Sequence, residues 1–378
     1  MKTLLRLDGK RLALNLTLLA TVLVMIGSVL EVGVFRMNMH RIPMRFHGHI
    51  DRYFYAFAQS SKAVVMPKNY IAIAGDSYAQ GEGDWRIEAN VWKNPPFASQ
   101  HVLQELTGQD VINSGAGGGD SLRTLAVRPV AQYRFLNSTL LYRIKKPDII
   151  LSYVYEGGLN RSLAFLEQNY LPRYDPARIY DRAYFRQFID DIVTQSIPTA
   201  IARRFVLPRF LLRLWNNFRV RLAKLFPPIS PFYGKRTRTD SGAKEVAKSF
   251  PDYNSEEGLK LSLYVIQQSL TYLTDFFPEA RHYIVYIPDI HTSYEMPVDG
   301  TARDNLLPEF LRSDEISDAL KIISVAVGST YIDSRPAIRA ASQAGRVHGV
   351  IDKAHFNRKG YTVLAETILP YLEGDKTQ

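Results

Sequence analysis

Four short stretches carry residue types that could, if brought together, transfer an acyl group. The first is Gly75-Asp76-Ser77, which directly follows the apolar run "NYIAIA". A serine hydroxyl becomes a useful nucleophile only when a neighbouring base takes its proton. The triplet alone is equally well explained as a helix cap, because Asp and Ser both cap helices. The second stretch is "NSGAGGGDS", Asn113 to Ser121, with four glycines in five consecutive positions. Glycines allow backbone N–H groups to approach a ligand closely, which suits an oxyanion hole. The run lacks the Lys-Ser/Thr of a P-loop, so phosphate is the weaker reading. The third stretch, "YEGGLNR", offers the side-chain amide of Asn160 as a further oxyanion donor.

The fourth stretch is "IDKAHFNRKGY", in which Asp352 and His355 stand three residues apart. At that spacing one turn aims the imidazole outward while the carboxylate fixes its tautomer and stabilises imidazolium. His282, His291 and His348 compete for the base role. His282 opens a strand and reads as structural, while His348 has no well-spaced carboxylate. His47 and His49 form a pair, but two histidines alone are no metal site.

These residues can meet only if strands deliver them to one edge. Residues 69–75, 110–113, 148–155, 282–288 and 329–334 are short apolar runs with β-branched and aromatic character. Helical patterns lie between them, at 97–108, 121–144, 256–277, 306–328 and 357–374. The alternation predicts an α/β fold: a doubly wound, mostly parallel five-stranded sheet over residues 68–374. Such sheets bind ligands beyond the carboxyl ends of their strands, and each of the four stretches follows a strand or precedes the last helix.

At this point the residues resemble the SGNH/GDSL hydrolase family, over about residues 69–372 outside the segment 162–255. Gly75-Asp76-Ser77, extended by Gly81 and Gly83, matches the family's first block, and Asn113-x-Gly115-x-x-Gly118 its second. Asp352-x-x-His355, with Asn357 and Gly360 behind it, matches the last. The resemblance implies Ser77 as nucleophile, His355 as base and Asp352 as its orienter. It implies oxyanion donors at the Ser77 N–H, Gly118 and Asn160, with no cofactor and no metal. Two departures stand out. Arg161 replaces the acid that often follows the third-block asparagine, and an alternative alignment puts Gly158 at that position. In the second block Gly119 fits instead of Gly118 when counted back from Asp120. The fold implied is the flavodoxin-like SGNH fold, and the chemistry implied is ester hydrolysis or acyl transfer. The segments "YIVYIPDIHTSY" and "TYIDSRPAI" are loosely similar to SGNH domains of polysaccharide O-acetylation, and point to O-acetyl groups on an envelope or secreted polysaccharide. A lipase or lysophospholipase at the membrane, and a non-catalytic glycan-binding module, are the alternatives.

The 378 residues bear a formal charge of +10 and contain no cysteine, which excludes disulfides and thiolate metal sites. No zinc-finger, RNA-binding or basic-zipper pattern accompanies the charge, so a nucleic-acid partner is not expected. The charge concentrates instead near the N-terminus and around residues 203–238. Leu12 to Leu30 is an uncharged, largely apolar run of the length that crosses a bilayer core. Lys2, Arg6, Lys10 and Arg11 precede it and place the N-terminus inside, although Arg36, Arg41 and Arg45 make the contrast shallow. The chain thus reads as a cytoplasmic stub (1–11), a transmembrane signal anchor (12–35), a juxtamembrane connector (36–67) and an extracytoplasmic catalytic domain on the periplasmic side. Within the domain, residues 162–255 form a basic, aromatic-rich helical insertion. Phe210, Leu211, Leu214, Trp215, Phe218 and Leu222 recur at helical spacing among arginines. Residues 203–225 read equally as a helix lying at a membrane interface and as a lid packed on the domain.

Overall fold

A computed structural model describes residues 9–96, 98–225, 250–294 and 300–374. Residues 1–8 of the stub and 226–249 of the insertion lie outside the described residues. Five strands form one sheet: β1 (Tyr70–Ala74), β2 (Asp110–Asn113), β3 (Ile149–Tyr155), β4 (Arg281–Ile287) and β5 (Thr330–Asp333). Their order is β2-β1-β3-β4-β5, and every pairing is parallel. The strand runs expected from the sequence and the doubly wound order are both present.

The period-two alternation of the strands divides the core. Ile71, Ile73, Ile149, Leu151, Val285 and Ile332 face one side, packed under helices Ser99–Thr107, Arg335–Gln343 and Arg358–Gly374. Tyr70, Ala72, Ile112 and Ile150 face the other side, under Arg128–Asn137 and Glu256–Phe276. Both faces are covered, which is why the strand sequences are apolar at nearly every position.

Two segments differ from the expectation. The helix expected over 121–144 ends at Asn137. There the hydroxyls of Ser138 and Thr139 turn back onto the carbonyls of Phe135 and Leu136, taking acceptors that the next helical turn would need. Residues 36–67, expected as a connector, pack into the domain: Met39, Ile50, Tyr53, Phe54, Phe57 and Val65 are buried in the same core as Phe135 and Tyr142. Their apolar residues follow neither a helical nor a strand period, because they sit in short 3₁₀ turns, bends and the single α-turn Tyr55–Ala58. The insertion contributes to this core as well, through Phe165, Tyr170, Phe185, Phe188 and Ile189.

The N-terminal helix Gly9–Leu30 is of membrane-crossing length and apolarity. Leu14, Val24 and Val29 are 67–71% exposed, which a core helix of a soluble protein would not tolerate. Where the helix continues as a turn, Glu31 is buried. Its carboxylate accepts the N–H groups of Val206 and Leu207, both at 2.8 Å, and the Tyr142 hydroxyl at 2.5 Å. Glu31 therefore caps the insertion helix Val206–Leu225 from a distant part of the chain. Arg209 pairs with Asp51, and Arg213 donates to the Ile50 carbonyl at 2.6 Å. The outer face of this helix leaves Leu211, Leu212, Trp215, Phe218 and Val220 more than half exposed.

Candidate active site

At the carboxyl end of β1 the chain reverses into a single helical turn, Ser77–Gln80. Gly75 permits the reversal, since its φ is +145° and a Cβ there would stand 2.7 Å from the Tyr153 carbonyl of β3. Asp76 caps the turn by accepting the Tyr78 N–H at 3.1 Å. Asp76 is buried, and its Oδ2 has no hydrogen-bond partner. Burial pushes its carboxyl up to about 6, against the pull of the cap bond. Ser77 heads the turn at 5% exposure.

The turn is pinned from two sides. From β2, Asn113 donates its side-chain amide to the Ala79 carbonyl and accepts the Gly115 N–H at 2.6 Å. In the glycine-rich loop, Gly117 donates to the Gln80 side chain. From the C-terminal region, the Tyr78 hydroxyl donates to the Ala354 carbonyl at 2.6 Å, and the Tyr361 hydroxyl to the Glu82 carbonyl at 2.6 Å. Gly83, at φ +151°, lets the two segments touch, because a Cβ there would fall 2.5 Å from the Phe356 carbonyl.

The loop that carries Asp352 and His355 is thereby brought against the Ser77 turn. His355 Nδ1 lies 2.8 Å from both Asp352 carboxylate oxygens. That contact assigns the Nδ1–H tautomer and leaves Nε2 free to act as a base. The imidazole lies against the Tyr78 ring, centroids 5.4 Å apart, and Nε2 stands 3.9 Å from Glu82 Oε2. Among the described residues no hydrogen bond joins Ser77 to His355, so the serine–imidazole contact is open in this state.

Sequence reasoning missed the group that holds this loop. Asp84 accepts the backbone N–H groups of Val350 (2.5 Å), Ile351 (3.0 Å) and Asp352 (2.5 Å). These three donors, that of Asp352 foremost, keep its carboxyl below the usual carboxylate range. The only signal in the sequence is its position, one residue after Gly83 at the end of the first block. Glu82, beside Nε2, was missed for the same reason.

Donors for an oxyanion are available at the same edge. Gly118 N–H has no partner among the described residues, and Ser77 N–H, first in its turn, has no intrahelical acceptor. Gly119 N–H is already engaged by the Ala116 carbonyl at 3.2 Å. At the third block, a Cβ on Gly158 would lie 3.4 Å from Asp76 Oδ2, whereas Asn160 is solvent-exposed at the start of helix Asn160–Asn169. Gly158 is thus the position of the two that borders the site. It lines a small cleft with Asp76, Gly119, Tyr153 and Tyr155 between β1 and β3, where the strand order reverses.

The competing histidines lie elsewhere in function. His348 is buried between the Tyr78 and Tyr294 hydroxyls, and burial pushes it down to about 4. His282 contacts the Phe277 carbonyl at 2.9 Å. Among the described residues no cluster of three or more His, Asp or Glu side chains could hold a metal ion.

No protein-family model and no curated protein matches the chain. Among solved structures, it is similar to an extracellular lipase from Streptomyces rimosus, at 12% identity and a TM-score of 0.40, covering 82% of this chain and 99% of that one. It is similar to phospholipase A1 from Streptomyces albidoflavus, at 12% identity and 0.38, covering 81% and 98%. It is also similar to an acetylxylan esterase from Geobacillus stearothermophilus, at 12% identity and 0.36, covering 82% and 95%.

Proposed function

We propose that this chain is a serine esterase or O-acyltransferase of SGNH type, acting through Ser77, His355 and Asp352 on ester groups, most simply O-acetyl groups, of an envelope or secreted polysaccharide. The observation that carries the reading is the Asp352–His355 pair, held by both carboxylate oxygens against the turn that Ser77 begins.

In this mechanism Ser77 Oγ attacks the ester carbonyl carbon while its proton passes to His355 Nε2. The carbonyl oxygen becomes the oxyanion, held by the N–H groups of Ser77 and Gly118 and bordered by Gly158. Asp352 stabilises the imidazolium. Collapse breaks the bond to the sugar oxygen, which leaves with the proton from Nε2, and the acyl group remains on Ser77. Water then regenerates the serine, making an esterase, or a second sugar hydroxyl does so, making a transferase. No step calls for a metal or cofactor.

The same reading makes the N-terminal helix an uncleaved anchor with the catalytic domain on the extracytoplasmic side. The exposed apolar face of Val206–Leu225, clamped to that anchor by Glu31, supports a second contact with the membrane interface. The same face favours a lipase as the second reading, which activity rising on addition of vesicles would support.

The test is fluorophosphonate labelling of the full chain in detergent or nanodiscs. The expected result is modification of Ser77 that drops at least about a thousandfold in rate in His355→Ala. Folded protein that binds acetylated glycan but takes no label would instead be a non-catalytic binding module.

A further inference from the structure

Beyond the glycine-rich loop lies a cavity of about 260 Å³ that the mechanism leaves unused. Gly119 forms part of its wall and also of the cleft beside Asp76, so the two spaces are neighbours. Three arginines line the cavity, Arg52, Arg123 and Arg128, and no acidic residue does. Arg123 is already committed: it pairs with buried Asp120 and lies over the Phe165 ring at 4.9 Å. Among the described residues neither Arg52 nor Arg128 has a carboxylate partner; Arg52 donates to the Tyr53 hydroxyl at 3.2 Å, and Arg128 has no side-chain hydrogen bond there. Arg128 is half-buried. Burial, followed by the like charge of Arg52, pushes its guanidinium down to about 10.

A half-buried guanidinium without a carboxylate partner, under the like charge of the exposed Arg52, is costly unless something neutralises it. Both guanidiniums line the cavity, and each is a planar donor fork that can bind a carboxylate bidentately. The cavity is close in volume to small-ligand pockets, at roughly 300 Å³ and above, so it fits one substituted sugar and not an extended chain.

The geometry points to a subsite in which Arg52 and Arg128 bind the carboxylate of an acidic sugar, making the substrate of Ser77 an O-acylated uronate-containing polysaccharide. This rests on the acyl-transfer reading for its second half only, since carboxylate binding does not require the serine.

The experiment uses the full chain in nanodiscs, with Arg52→Ala and Arg128→Met, the latter keeping an apolar stem in the wall. Binding of an unacetylated oligouronide is measured beside binding of a neutral xylo-oligosaccharide. Turnover of p-nitrophenyl acetate and of O-acetylated forms of both oligosaccharides is followed in parallel. Each variant is expected to weaken oligouronide binding about tenfold and to raise its KM equally. The neutral oligosaccharide and p-nitrophenyl acetate should change less than about twofold, and the oligouronide preference should shrink as salt is raised. Wild-type protein that binds both oligosaccharides alike, or variants that bind oligouronide normally, overturns the proposal. Loss of binding to anionic phospholipid vesicles with oligouronide binding intact also overturns it, in favour of a lipid headgroup. Wild-type protein inert toward every ester would refute the acyl-transfer reading, while the binding arm still decides the subsite.

Discussion

The edge of the sheet that carries Ser77 and the outer face of helix Val206–Leu225 are built on opposite plans. At the edge, the serine turn and the histidine loop are both tied down through backbone. Asn113 holds the serine turn, Asp84 holds three consecutive amides of the histidine loop, and tyrosine hydroxyls cross-link the two. The helix is fixed on its inner side by Glu31 and Asp51, yet its outer side presents Leu211, Trp215 and Phe218 to solvent. One region is complete within the chain, as positioned chemistry requires. The other leaves a clustered apolar face uncovered, of the kind that marks interaction sites on protein surfaces. Rigidity and incompleteness therefore sit in one domain and serve different ends.

The comparison breaks first, and most heavily, at Asp76. Its carboxyl is raised to about 6 in the folded chain, so folding favours the protonated form. Below about pH 4 both folded and unfolded chains hold the proton, and this group costs nothing. As pH rises from about 4 to about 6, the unfolded chain ionises first and stability falls, by on the order of 3 kcal/mol for a shift of this size. Asp76→Asn should remove that part of the slope, as read from denaturant midpoints across the window. Identical slopes in the two proteins would show that Asp76 is not buried as described.

Asp84→Ala comes next. With three amides released, the histidine loop should shift by a fraction of an ångström or more, and kcat should fall roughly tenfold to a hundredfold. Faster hydrogen exchange at residues 350–352 should accompany it, while melting changes little. Unchanged kcat would mean that the loop is held by Tyr78 and Tyr361 alone. The smallest effect belongs to the other region. Trp215→Ala should lower partition onto lipid vesicles by roughly fivefold, and leave hydrolysis of a soluble ester unchanged. If solubility and vesicle binding are both unaltered, the apolar face meets protein instead.

The same contrast explains what was legible in the sequence. The five strands were readable because both faces of the sheet are covered, leaving apolar runs too consistent to mistake. That the Asp352–His355 pair lies beside the Ser77 turn was legible because each stretch stands at a fixed offset from glycines that the backbone itself demands. Asp84 was not, since its role depends on accepting amides 266 to 268 residues away and leaves no local pattern. Between Asn160 and its alternative Gly158 the sequence could not choose, because which of them borders Asp76 depends on where helix Asn160–Asn169 begins. Residues 36–67 misled for a different reason. Irregular backbone that buries Phe54 and Phe57 has no period, so composition alone made it look like a connector.

Glu31 has one more consequence. A catalytic domain joined to a membrane helix by a slack linker sweeps a hemisphere and meets substrate at any height and heading. Here Glu31, at the end of helix Gly9–Leu30, grips the domain through the first two amides of a second helix and through Tyr142. If Gly9–Leu30 inserts in a membrane as proposed, the Ser77 turn is mounted at one altitude and one compass bearing above the bilayer, and an ester must be brought to it, as thread is fed to a fixed needle.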